Sequence, residues 1–270
     1  MPSNNRYRIL STKDVDLRLI ELAGAQGFDI VTQSFINIRP LITDALKERL
    51  HQLLQQKIYA VFTSANAVNT IAQHYLQPDG KFYFGDWTSF PPNVTEEYVN
   101  EWKKGGFYSP GWDTFCLEGA TQEAVKNAGI NCRIKATGTK AADLAQNIID
   151  QGDITSVVFF CGNKRRGELP DMLRQHSISV EEVVVYETTE TPAISTEDYD
   201  GIFFLSPSAV NSFFSVNRIP RHTVCFSIGP TTATALQDYT DNKIITSTGP
   251  SMSELVQTAI FYFNNINCYE

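Results

Sequence analysis

With 270 residues, 42% of them hydrophobic, the chain is long enough for two ordinary domains with apolar cores. A formal charge of −8 argues against the basic footprint of a nucleic-acid binder, and any anionic ligand must be held by local groups rather than by the overall field. No apolar run approaches the length of a membrane span, and Met1-Pro2-Ser3-Asn4-Asn5-Arg6 lacks a signal-peptide core.

Short apolar runs alternate with helical patterns along the chain. Tyr7–Leu10 is predicted as a strand, Val15–Ala25 as a helix and Phe28–Thr32 as a strand. A helix over Leu41–Gln55, a buried strand over Ile58–Phe62 and a helix over Ala67–Tyr75 follow. Next come a strand at Thr114–Leu117, a helix through Ala128, a helix over Ala141–Asp150 and a strand at Val157–Phe160. A helix over Leu169–His176 and a strand at Val183–Tyr186 end the middle of the chain. The last part alternates again: strands at Gly201–Leu205, Val224–Ile228 and Ile244–Thr246, helices at Val210–Phe214, Thr231–Tyr239 and Ser253–Phe263. Such alternation predicts an α/β protein with parallel sheets built from βαβ units.

Three motifs occur twice, in the same order. Phe62-Thr63-Ser64-Ala65-Asn66-Ala67-Val68-Asn69 returns as Phe204-Leu205-Ser206-Pro207-Ser208-Ala209-Val210-Asn211. Gly119-Ala120-Thr121 returns as Gly229-Pro230-Thr231, and Thr137-Gly138-Thr139 as Thr248-Gly249-Pro250. The chain therefore reads as two similar lobes, and the interface between such lobes is a favoured ligand site. Breaks at Ile38-Arg39-Pro40 and in the polar stretch from Thr188 to Asp198 set the expected lobes at 1–38 plus 188–270 and at 39–187. The first motif returns after a wider interval than the other two. The first copy thus carries an extra segment, at about 77–112, rich in aromatic residues and ending near Trp112. A flap on the middle lobe and a lid over the site are both open readings of it.

Five cysteines (Cys116, Cys132, Cys161, Cys225, Cys268) are odd in number, scattered and free of C-x-x-C, which predicts free thiols in a reducing, cytoplasmic setting. The four histidines stand apart, so no metal site is expected.

Each repeated motif sets Ser, Thr, Asn or Gly directly after a strand and before a helix, at the carboxyl edge where open parallel sheets bind ligands. Backbone N–H groups and the helix dipole there suit anions. The candidates are Ser64, Asn66, Thr121, Ser206, Ser208, Gly229, Thr231 and Thr232; plain helix capping is the competing reading. Phe160-Cys161-Gly162-Asn163-Lys164-Arg165-Arg166 is the one basic cluster beside a strand end, and Gly162, Asn163 and Arg165 join the candidates as possible carboxylate contacts. No Walker A loop, dinucleotide fingerprint or nucleophile elbow is present.

Phe62-Thr63-Ser64, Phe160-Cys161-Gly162-Asn163, Val185-Tyr186-Glu187-Thr188, Phe204-Leu205-Ser206-Pro207-Ser208-Ala209-Val210 and Ile228-Gly229-Pro230-Thr231-Thr232 together resemble the uroporphyrinogen-III synthase family over nearly the whole chain. The resemblance implies two α/β lobes, each a parallel sheet flanked by helices, joined by a two-stranded connector with the active site in the cleft between them. It implies a monomeric enzyme of haem biosynthesis that uses no metal or organic cofactor and has neither a nucleic-acid nor a membrane partner. Its substrate is hydroxymethylbilane, which loses water and closes through a spiro intermediate with its last ring inverted. Loss of the hydroxyl is pushed by a pyrrole nitrogen, so a modest proton donor and control of shape suffice. Tyr186 falls on the family's tyrosine and takes the role of donor, directly or through water. The chain departs from the family at Leu117-Glu118-Gly119, where Glu118 sets a negative charge beside Thr121. A non-catalytic module that binds a tetrapyrrole or another polyanion is the alternative; a periplasmic-type binding protein would need a signal peptide.

Overall fold

A computed structural model describes residues 6–54, 56–74, 111–128 and 132–265. The extra segment apart from its last two residues lies outside these, and so do the lid and flap readings of it. The chain divides into two compact units, Met1–Asn37 with Thr189–Glu270 (unit 1) and Ile38–Thr188 (unit 2).

Unit 1 holds β1 (Tyr7–Ser11), α1 (Leu17–Ala25) and β2 (Phe28–Thr32), then, after the middle of the chain, β9 (Gly201–Phe204), α7 (Pro207–Val216), β10 (Val224–Ser227), α8 (Pro230–Gln237), β11 (Ile244–Thr246) and α9 (Met252–Asn265). The strands form a parallel sheet in the order β11-β10-β9-β1-β2. Every residue of β9 and β10 is buried, as expected of strands covered on both faces. Phe203 packs with Ala23 of α1 and with Leu255, Ala259 and Phe263 of α9, while Phe204 packs with Val210 and Phe213 of α7 and Leu236 of α8. Alternating strand residues thus feed a helical layer on each side.

Unit 2 holds α2 (Asp44–Leu54), β4 (Tyr59–Phe62), α3 (Ala65–His74), β5 (Trp112–Leu117), α4 (Ala120–Asn127), β6 (Cys132–Gly138), α5 (Ala141–Ile149), β7 (Ser156–Gly162) and α6 (Glu168–Gln175). Two strands, β3 (Ile36–Pro40) and β8 (Ser179–Glu190), each run through a unit boundary. The Leu41 amide donates to the Val185 carbonyl and the Thr191 amide to the Phe35 carbonyl, an antiparallel pattern. The sheet order is β3-β8-β7-β4-β5-β6, and β8, β7, β4, β5 and β6 run parallel. Phe62 and Phe160 face α2, α3 and α4; Val61, Phe159 and Cys161 face α5 and α6.

β8 is longer than expected, running over Ser179–Glu190, and one residue and two further strands also depart from the sequence expectation. Trp112, placed by motif spacing at the end of the extra segment, opens β5 and is fully buried, its indole N–H bonded to the Leu53 carbonyl at 3.1 Å. β6 was not expected, because as an edge strand it alternates exposed Arg133 and Lys135 with half-buried residues and has no continuous apolar run. β3 occupies the stretch read as a break; its proline is tolerated at an edge.

Gly138 ends β6 where a Cβ would lie 2.6 Å from the Leu144 backbone nitrogen of α5. A helix backbone has no rotamer with which to yield. Gly138→Ala is therefore expected to destabilise unit 2 by about 1–3 kcal/mol, the range for overpacking. A lowered urea midpoint at unchanged slope checks it; an unshifted midpoint would refute it.

Candidate active site

In unit 2 the direction of strand succession reverses between β4 and β7: from β4 the sheet continues to β5 and β6, from β7 to β8. In unit 1 it reverses between β1 and β9. Open parallel sheets leave a ligand crevice at the carboxyl ends of such a pair.

At this place in unit 2, Ser64 follows β4 and starts α3. Its Oγ accepts the Asn66 amide at 3.2 Å, and its carbonyl accepts the Ala67 amide at 3.2 Å. Tyr186 reaches the same spot by a change of register in β8. Cys161 pairs with Val184, but Gly162 pairs with Tyr186, leaving Val185 as an extra residue. Val183 and Val185 face the core under α2 and α3, and Val184 faces the opposite core. Strict alternation would send Tyr186 after Val184. The bulge turns it instead to the α3 side, where it packs against the first core. Its hydroxyl donates to Ser64 Oγ at 3.1 Å. Burial raises the phenol pKa above its ordinary value; Ser64 and Asn66, as donors to the ionised oxygen, work against this without cancelling it.

Gly162 lies under the phenol ring, and a Cβ there would sit 2.5 Å from two ring carbons of Tyr186. The next residue, Asn163, donates its backbone N–H to the Tyr186 carbonyl at 3.2 Å. Its side-chain oxygen accepts the Thr188 amide at 2.8 Å, and its side-chain nitrogen donates to the Thr188 carbonyl at 3.3 Å.

The structure thus brings Tyr186, Ser64, Asn66, Gly162 and Asn163 together. Arg165 is turned to Glu182 and paired with it, and the other Glu182 oxygen accepts from Arg174 at 2.6 Å. Burial disfavours charge on Glu182, but the two guanidiniums outweigh this and hold its carboxyl below the usual range. That counter-charge was not anticipated from the sequence; Glu182 stands four residues before Tyr186 on the same strand, the one available hint. Thr121 is buried in the first turn of α4, and exposed Glu118 accepts from the Thr137 hydroxyl at 3.1 Å.

The unit 1 candidates occupy the matching edge of their own sheet. Ser206 caps α7 through the Ala209 amide at 3.2 Å, with half-buried Ser208 beside it. Gly229 caps α8 in an extended conformation, its carbonyl taking the Thr232 and Ala233 amides at 3.1 Å. Thr231 is exposed and Thr232 buried. Thr12, just past β1, was not singled out from the sequence; its hydroxyl is buried without a hydrogen-bond partner.

Among the described residues no group of three or more His, Cys, Asp or Glu could hold a metal ion, and no helix is long and apolar enough to cross a membrane.

Two sheets of parallel strands, the second with an antiparallel edge strand, each with helices on both faces and hydroxyl-bearing turns at its carboxyl edge, define a two-unit α/β protein. A family model described as uroporphyrinogen-III synthase HemD matches residues 109–257. The chain belongs to this family, lyases of haem biosynthesis that cyclise hydroxymethylbilane to uroporphyrinogen III. Uroporphyrinogen-III synthetase from Helicobacter pylori is similar in structure, with TM-score 0.59 and 15% identity over 94% of this chain and 99% of that one. A mutant uroporphyrinogen III synthase from the extremely thermophilic bacterium Thermus thermophilus gives TM-score 0.57 and 13% identity over 97% of this chain and 99% of that one. These two likenesses bear on the fold. No curated protein matched the chain.

Proposed function

We propose that the chain closes hydroxymethylbilane at the Tyr186–Ser64 corner, with Tyr186 giving the proton that lets the hydroxyl leave as water. The observation that carries this reading is the bulge that turns a half-buried phenol onto the capping serine of α3. A raised pKa keeps the phenol protonated through neutral pH, the form a donor needs. The pyrrole nitrogen supplies the electron push, and the bond that breaks is carbon to hydroxyl oxygen.

Ser64 has a second part. A hydroxyl offers one proton and two acceptor sites. Its acceptor sites are taken by Tyr186 and by the Asn66 amide, which leaves its proton to offer to a substrate carboxylate. Ser64 and Asn66 are read as carboxylate contacts, as are Ser206, Ser208, Gly229, Thr231 and Thr232 in unit 1. The unpaired Thr12 hydroxyl supports giving the unit 1 edge a binding role. Arg165 and Thr121 contribute less, the first because its charge is matched by Glu182, the second because it is buried.

The lobes expected from the sequence, a monomeric state and a cytoplasmic location belong to the same proposal. The free cysteines Cys116, Cys132, Cys161 and Cys225 are compatible with a reducing compartment. The test is to supply hydroxymethylbilane to the chelator-treated protein and separate the product isomers. The type III isomer is expected; the spontaneous type I isomer alone would overturn the reading.

A further inference from the structure

The sequence marks Asn163 as a possible carboxylate contact, because it sits beside a basic cluster at a strand end. Its side chain is differently employed. Both polar atoms of its amide are bonded to one residue, Thr188, accepting from the amide and donating to the carbonyl. This is how a neighbouring strand would pair with Thr188, yet β7 has ended at Gly162. The side chain therefore serves as one further rung of the ladder. Its backbone N–H makes the rung before it, to the Tyr186 carbonyl.

These rungs lie directly beyond the bulge. A bulge is a one-residue slip, and the competing register would restore alternation and turn Tyr186 to the opposite face. Only pairing that follows the slip tells the strand which register to keep. On the β7 side the last backbone pair is Gly162 with Tyr186. Past it, Asn163 supplies the pairing, and Gly162 clears the space that the slipped ring fills.

We propose that Asn163 is a positioning residue: its amide holds β8 in the bulged register and so keeps the Tyr186 phenol against Ser64, without itself touching substrate. The inference rests on the reading of Tyr186 as the proton donor.

The test is steady-state formation of the type III isomer by Asn163→Ala, Asn163→Asp, Tyr186→Phe and the double variant Asn163→Ala/Tyr186→Phe. Misplacing a reacting group by about 1 Å can cost up to about 10²-fold. Asn163→Ala is therefore expected to lose roughly ten- to hundredfold in kcat with KM within about twofold of the unaltered enzyme. In the Tyr186→Phe background the same change is expected to add less than about twofold, because the group it positions has gone. Asn163→Asp keeps size and acceptor but sets an oxygen against the Thr188 carbonyl. It opens no cavity, is expected to lose kcat in the same sense, and carries the test if the alanine variant does not fold. A raised KM at unchanged kcat would make Asn163 a substrate contact and overturn the inference, as would losses that multiply with Tyr186→Phe. A Tyr186→Phe enzyme within about threefold of the unaltered one would instead sink the proton-donor reading, and the inference with it, before any Asn163 variant is compared.

Discussion

Tyr186→Phe is expected to slow uroporphyrinogen III formation by about 10²–10⁴-fold, the usual worth of one positioned general acid. The change removes one oxygen and leaves the ring, which fills the space over Gly162 and packs against the α3 core. Stability should therefore move little. Ser64 keeps its bond from the Asn66 amide, so KM should also change little. The pH profile gives a second check. Burial holds the phenol pKa above its ordinary value, and the protonated form is the active one. Turnover should thus persist through neutral pH, with a tyrosine-dependent fall only beyond the ordinary phenol value of about 10. That limb should be missing from the phenylalanine variant. A variant within about threefold of the unaltered enzyme would mean that the substrate ejects its hydroxyl without this phenol.

The largest loss of stability is expected from Phe160→Ala. Phe160 is fully buried two residues before Gly162, and its ring stacks on Phe62 and on Trp112 with both centroid distances 5.1 Å. Three neighbouring strands, β5, β4 and β7, are joined by this stack on the face that carries Tyr186. Truncating a buried phenylalanine to alanine typically costs about 3–5 kcal/mol, transfer and cavity together. Denaturant unfolding followed by circular dichroism should show the unit 2 transition moved by that amount. A shift under about 1 kcal/mol would mean that the layers collapse into the gap.

Much of the fold was legible because it rests on local patterns. Gly201-Ile202-Phe203-Phe204 and Val157-Val158-Phe159-Phe160 are continuous apolar runs, and only a strand covered on both faces has use for one. β6 escaped notice because an edge strand needs no such run, and Trp112 because aromatic content alone does not tell an inserted segment from the first residue of a core strand. The site was legible to a different depth. Ser64, Asn66 and Ser206 follow from the cap after a strand, a signal contained in a few residues. The role of Tyr186 came from family resemblance, since nothing in its spacing reveals which face it takes. That depends on a slip between Cys161 and Gly162, a property of two strands paired together. The Glu182 partner that occupies Arg165 was hidden for a related reason: the turn after β7 and the strand β8 meet in space, not along the sequence.

The course of the chain also bears on the order in which the molecule is made. Unit 2 is one continuous stretch, so every strand it pairs has been synthesised by Glu190. Unit 1 is begun first and finished last. Its β1 is synthesised before any of unit 2, yet Ile9, Leu10 and Ser11 pair with Gly201, Ile202 and Phe203. Through the synthesis of the whole middle of the chain, β1 and β2 have only each other, and an isolated pair of strands is marginal at best. During that interval one flank of β1 is an apolar edge without its neighbour, the kind of surface on which nascent chains associate wrongly. Non-local pairing of this span is slow in itself. The half of the protein that carries Tyr186 can therefore be in place well before the half that carries Ser206 and Thr231 exists as a sheet.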